Sequence, residues 1–270
     1  MRERNNPFEA RHVSQDDPAT LGAVGVAAYI LADIVHECLG HAVTCFITGG
    51  HVTLLTSIFF RGQPWSRITD IAGPSANLVA GGLLWVALGH GKRWSAQTRF
   101  FLLLAMAFNL FWGTGYLIYS GVANTGDWAS AITGLQPLWL CRLILVALGF
   151  ASYAYSMRVV GVNLRPFTAG AGQGRARRLL FLPYVAAGLA ACAAALFYKE
   201  DPVGASVGAF RESFLTDAGL LMIPLWLYRA RGASPSPPIY VTRRPGWVLT
   251  TAIALSVFVS IMGRGLRFQL

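Results

Sequence analysis

The sequence predicts an all-α polytopic membrane protein, with about seven transmembrane helices and a short re-entrant β-hairpin after the first. Three observations carry this prediction. Hydrophobic residues make up 54% of the 270 and charged residues only 13%, with a mean hydropathy of +0.50, far outside the balance of a soluble domain. The apolar residues gather in runs of about 20, the length that crosses a bilayer. The basic residues gather in short clusters in every second loop, as the positive-inside rule requires.

A polar segment, residues 1–19, comes first, and its Arg2, Arg4 and Arg11 place it in the cytoplasm. It is not the start of a removable signal peptide, because it carries Asp16 and Asp17 and the run behind it is too long. Helices are expected near 20–48, 68–89, 100–119, 138–158, 179–198, 214–229 and 247–262. The sixth, "FLTDAGLLMIPLWLY", is short and contains Asp217 and Pro224. Between the first two lies "GGHVTLLTSIFFRGQPWSR", whose β-favouring Val, Thr, Ile and Phe precede a Gly-Gln-Pro turn, the pattern of a hairpin. Non-helical backbone at membrane depth must be satisfied by protein or a water-filled cavity, so this hairpin suits an enclosed site. The stretch "LRPFTAGAGQGRARR", 164–178, reads as a flexible basic linker. It follows a first half, 20–137, dense in polar intramembrane residues, and lies within accessory helices, 138–270.

The net charge of +10 does not make a nucleic-acid surface. The clusters at Lys92, Arg93 and Arg99, at Arg158 to Arg178 and at Arg229 to Arg244 sit between apolar runs and not along one amphipathic face. The lipid bilayer is the partner they imply. Four cysteines, Cys38, Cys45, Cys141 and Cys192, lack paired-ligand spacing and read as small buried hydrophobes. Pro74 with Gly73 reads as a helix start, and His51, His90, Asp70 and Asp217 as ordinary groups near helix ends.

The stretch "HECLGH", His36 to His41, lies inside the first apolar run. Each ionisable side chain there is costly in hydrocarbon and points to function. Catalytic zinc takes three ligands of the His, Asp, Glu or Cys type and keeps a position open for water. The helical solution is His-Glu-x-x-His, with both histidines on one face and the glutamate as base. Here one residue is added, and at 3.6 residues per turn the two rings stand roughly 140° apart instead of about 40°. Three arrangements answer this. A π-bulge absorbs the extra residue and restores a shared face, helped by Gly40. Alternatively Glu37 and His41 are both ligands and His36 is the acid or base. Or no metal is held, and Asp33, Glu37 and His41 form a polar stripe like a proton relay.

Three ordered segments resemble the site-2 protease family of intramembrane zinc metallopeptidases, especially its compact bacterial branch. "HECLGHAVTCFITGGHVTLL" is similar to the family's metal helix, and "IAGPSANLVAG" to the segment that opens its next helix. "SGVANTGDWAS" then supplies Asp127 where the family places an aspartate ligand. The extra residue in the histidine motif and Gly-Asp-Trp in place of Leu-Asp-Gly depart from the family pattern. The resemblance covers residues 31–130 and implies an integral protein of the bacterial inner (plasma) membrane. It implies Zn2+ held by His36, His41 and Asp127, with Glu37 as general base and a membrane-protein substrate added as a strand to the hairpin. Asn77 would then hold that substrate or polarise a carbonyl, or else make an interhelical hydrogen bond, and Asp33 would orient a ligand from behind or simply face a pore. A family asparagine corresponds to Asn109 or to Asn124. Asp127 also fits the N-cap of a helix starting near Trp128. A hydrolase of a lipid amide would need the same metal but no strand edge; a transporter or scaffold would need neither.

Overall fold

The computed structural model describes residues 15–91, 93–169, 173–229 and 237–268. Arg2, Arg4, Arg11 and Lys92 therefore lie outside the described residues.

Asp17 accepts from the Thr20 amide at 2.8 Å and hydroxyl at 2.7 Å, and Pro18 occupies the first turn, so the opening of helix α1, Pro18–Ile47, is fixed by its cap. These hydrogen bonds hold the Asp17 carboxyl below its usual range. The middle of α1, Val35–Ala42, is π-helical. The chain then turns into strands β1, His51–Leu55, and β2, Phe60–Gln63, an antiparallel hairpin with a bulge between Val52 and Leu54. Helix α2 runs Arg67–His90, α3 Ala96–Ala123, short α4 Asp127–Ile132, α5 Leu138–Thr168 and α6 Gln173–Ala195. Pro74 falls inside α2, which starts at Arg67, so Gly73-Pro74 does not open a helix.

The expected sixth run is broken. Helix α7, Pro202–Phe210, passes into a π-helical turn, Arg211–Leu215, and a 3-10 turn, Thr216–Ala218, before α8, Gly219–Arg229. Helix α9, Pro245–Gly263, ends near strand β3, Leu266–Arg267, which pairs with the far side of β1. The sheet order is β2-β1-β3, so the sequence missed one strand. The stretch 164–178 is also helical at both ends, in α5 and α6, and not a linker throughout.

Among the described residues six helices, α1, α2, α3, α5, α6 and α9, are long and apolar enough to cross a membrane. Val79 and Leu83 on α2, Leu143, Leu148 and Phe150 on α5, and Leu249 and Ile253 on α9 are exposed, as hydrocarbon-facing residues are. Helix α3 is the central one. Its Phe100, Leu104, Phe108, Phe111 and Trp112 are buried, and Trp112 stacks on Tyr29 of α1 with centroids 5.8 Å apart.

Polar contacts gather at two ends. At one, Arg175 pairs with Asp16 at 2.6 Å, the Asp17 amide donates to the Val241 carbonyl at 2.9 Å, and Gln97 donates to the Thr242 carbonyl at 2.9 Å. At the other, Ser130 donates to Asp70 at 2.6 Å, the Ser57 amide donates to the Met262 carbonyl at 3.0 Å, and β3 joins the sheet.

Candidate metal centre

A regular helix would part the two histidines; the π-helical stretch accommodates the residue that separates them. His36 Nε2 and His41 Nε2 lie 3.2 Å apart. Asp127 Oδ2 is 3.0 Å from the first and 3.2 Å from the second. Asp127 is the first residue of α4, whose N-cap is Gly126, so its carboxylate serves the histidines and not a cap.

The packing of α1 on α2 makes this possible. A Cβ on Gly40 would come 2.6 Å from the Gly73 Cα. A Cβ on Gly73 would come 2.3 Å from His41 Nε2 and 2.9 Å from His36 Nε2. Both helices need glycine where they cross. Rings clamp the imidazoles: His36 stacks on Trp112 at 5.0 Å between centroids, and His41 on Phe60 of β2 at 5.1 Å.

The outer hydrogen bonds fix the tautomers. His41 Nδ1 lies 2.7 Å from the Thr69 carbonyl, which can only accept. His36 Nδ1 lies 2.6 Å from Asn77 Oδ1. The Asn77 amide nitrogen donates to the Ala32 carbonyl at 3.0 Å and to Asn109 Oδ1 at 2.9 Å, and the Asn109 nitrogen donates to the Ala105 carbonyl at 2.8 Å. Each amide orientation dictates the next, so Nδ1 of both histidines carries hydrogen, and in the neutral imidazoles Nε2 presents its lone pair.

Two lone pairs and a carboxylate oxygen thus converge on one point, an arrangement that a cation stabilises. Ligands held about 2.0–2.1 Å from a tetrahedral zinc stand roughly 3.3 Å apart, close to the 3.0–3.2 Å found. The donor set fits a divalent transition metal such as zinc. Glu37 is not a ligand in this group. It lines the same cavity of about 370 Å3 as His36, His41 and Asp127, buried, with Oε2 unpartnered among the described residues.

Two residues meet partners other than those the sequence suggested. Asn77 is fully buried behind His36 and bonded to His36, Ala32 and Asn109. Asp33 accepts from Tyr29 at 3.3 Å, and the hydrogen bond to His36 Nδ1 comes from Asn77. Asn109 backs Asn77, whereas Asn124 ends α3 in a left-handed conformation. Asp70 and Glu212 also line the cavity. Glu212 follows an ordinary apolar run, and nothing in the local sequence marks it.

Compared with protein families, with curated proteins and with solved structures, the chain matches none.

Proposed function

We propose that the protein is an intramembrane zinc metallopeptidase, akin to the site-2 protease family, that cleaves within membrane-embedded segments of other proteins. The observation that carries this reading is the convergence of His36, His41 and Asp127 beside the unpartnered carboxylate of Glu37. His36, His41 and Asp127 would hold the zinc, which would supply a Lewis acid for the scissile carbonyl and lower the pKa of water towards neutrality. Glu37 takes the proton from the attacking water and delivers it to the amine nitrogen as the C–N bond breaks. Asn77 and Thr69 hold the imidazoles in the tautomer that leaves Nε2 free.

A substrate helix has its carbonyls already bonded and must be extended before hydrolysis. Strand β2 lies at an edge of the sheet. A groove along it, lined by Thr53, Gly62, Gln63 and Trp65, shares Phe60, Arg61 and Asp70 with the metal cavity. This edge supports strand addition and favours a peptide over a lipid amide. The hairpin is read as re-entrant, set below the membrane surface and shielded by protein.

The topology follows from the two gathered ends. Asp17 and Val241 mark one, β1 and β3 the other, and α9 joins them. This arrangement supports an odd number of crossings, with the broken α7–α8 unit as the seventh. By the positive-inside rule the basic clusters at Arg93, Arg99, Arg175 to Arg178 and Arg243 favour a first end, with the N-terminus, on the cytoplasmic side of the inner (plasma) membrane.

Metal analysis of detergent-purified protein and cleavage of a reconstituted transmembrane peptide test the reading together. Wild type should carry one zinc and cleave; Glu37→Gln should keep the zinc and lose cleavage by at least ~100-fold; His41→Ala should lose both. Full zinc in His41→Ala, or undiminished cleavage by Glu37→Gln, rules the assignment out.

A further inference from the structure

Tyr116 of α3 and Glu212 of the π-helical turn after α7 form part of the cavity wall and take no part in holding the metal. The Tyr116 hydroxyl donates to Glu212 Oε1 at 3.2 Å, well beyond the roughly 2.7–2.8 Å usual for such bonds. Glu212 Oε1 is the only oxygen of that carboxylate with a protein donor among the described residues. The Tyr116 ring is edge-on to His36, with centroids 5.8 Å apart. Its hydroxyl lies over Gly126, where a Cβ would come 2.8 Å from the oxygen. The pair therefore stands at the rim of the metal centre, next to Asp127.

Resting on the peptidase reading above, we propose that Tyr116 and Glu212 together bind the backbone N–H and C=O of one residue of the extended substrate. A residue in an extended strand offers its own N–H and C=O to the same side, and an opposing strand residue normally answers with both complements. Here a hydroxyl donor and a carboxylate acceptor stand in for that residue. In the resting protein they satisfy each other through one long hydrogen bond. On binding, the hydroxyl turns to the substrate carbonyl and the carboxylate accepts the substrate N–H. No covalent bond changes, and neither group is left unpartnered in either state. The substrate strand would then be held on one side by β2 and on the other by this pair. A substrate without that N–H leaves the carboxylate unpaired, the kind of mismatch that gives large discrimination.

The test uses binding, not turnover, on zinc-loaded full-length protein in detergent. The probes are the hydroxamate of N-acetyl-Leu-Ala and two analogues, each with one backbone N-methyl group. In wild type, one of the two methylations should weaken binding tenfold or more. Tyr116→Phe, which keeps the ring against His36, and Glu212→Leu should each bind the parent about tenfold more weakly; Glu212→Leu should also lose that discrimination, whereas Tyr116→Phe, which keeps the acceptor of the N–H, should retain it. Glu212→Gln retains an acceptor oxygen and should stay near wild type. Zinc content should be unchanged in all three. The proposal is overturned if Tyr116→Phe and Glu212→Leu bind the parent as wild type does, or if neither methylation matters. A wild-type protein that holds zinc but binds no hydroxamate would instead overturn the peptidase reading itself.

Discussion

A methyl group at position 73 would sit 2.3 Å from His41 Nε2 and 2.9 Å from His36 Nε2, inside the van der Waals contact of both rings. Removing the Asn77 side chain does something different, since it takes away the acceptor that holds the His36 Nδ1 hydrogen and leaves the ring free to change tautomer. Loss of such an outer partner typically weakens a metal site by about 10–100-fold, whereas displacing two ligand atoms should abolish stoichiometric binding. Titration against a zinc chelator should therefore rank wild type above Asn77→Ala and Asn77→Ala above Gly73→Ala, each still folded by circular dichroism. Equal affinities in all three would refute this account. That His36 and His41 belong to a polar cluster was legible in the sequence, because two histidines and a glutamate so close together are too costly in hydrocarbon to persist without a task. The role of Asn77 was not, because an amide that both donates and accepts fits a ligand partner and a substrate partner equally well. Gly73 and Glu212 were not either, since each matters through a neighbour far away in the chain.

The first helix raises the question of whether its stretched motif is a defect or a working variant of the shorter one. The π-helical segment spans Val35–Ala42 and returns to regular α-helix at Val43, so the irregularity is local and consistent with one extra residue. Leu39 is 58% exposed, on the face turned away from the rings. Deleting it gives His-Glu-Cys-Gly-His, which a regular α-helix can accommodate with both imidazoles on one face and with Gly40 still opposite Gly73. The deletion variant should bind zinc within about tenfold of wild type, whereas inserting an alanine after Leu39 should abolish binding. Loss of zinc in the deletion variant would show that the π-helical geometry is needed in itself. Periodicity alone exposed the mismatch here, but which of three remedies the chain adopts depends on α2 and α4, which lie beyond any local window. The broken α7–α8 unit shows the same limit: Asp217 and Pro224 marked it as irregular, yet only packing brings Glu212 to the cavity.

For the whole molecule, hydropathy located the apolar helices well because bilayer thickness fixes their length, while β3 escaped notice because two residues carry no periodic signal. The fold joins the two halves of the sequence: the cavity is lined by His36, His41 and Asp127 from the first and by Gly204, Gly208, Arg211 and Glu212 from the second. The second half thus contributes to the wall of the cavity. Its path also sets the sidedness of the chain. Thr242 lies with Gln97 and Val241 with Asp17 at one end, whereas Met262 lies with Ser57 at the other. In a variant with its four native cysteines replaced, a cysteine at Arg243 and one at Arg264 should therefore react with a membrane-impermeant maleimide from opposite faces of sealed vesicles. If the proposed orientation, with the basic clusters on the cytoplasmic face, holds, Arg243→Cys should react only in inside-out vesicles and Arg264→Cys only in right-side-out ones. Labelling of both positions from one face would mean an even number of crossings, which would separate β3 from β1 and open the sheet whose edge the substrate is proposed to use.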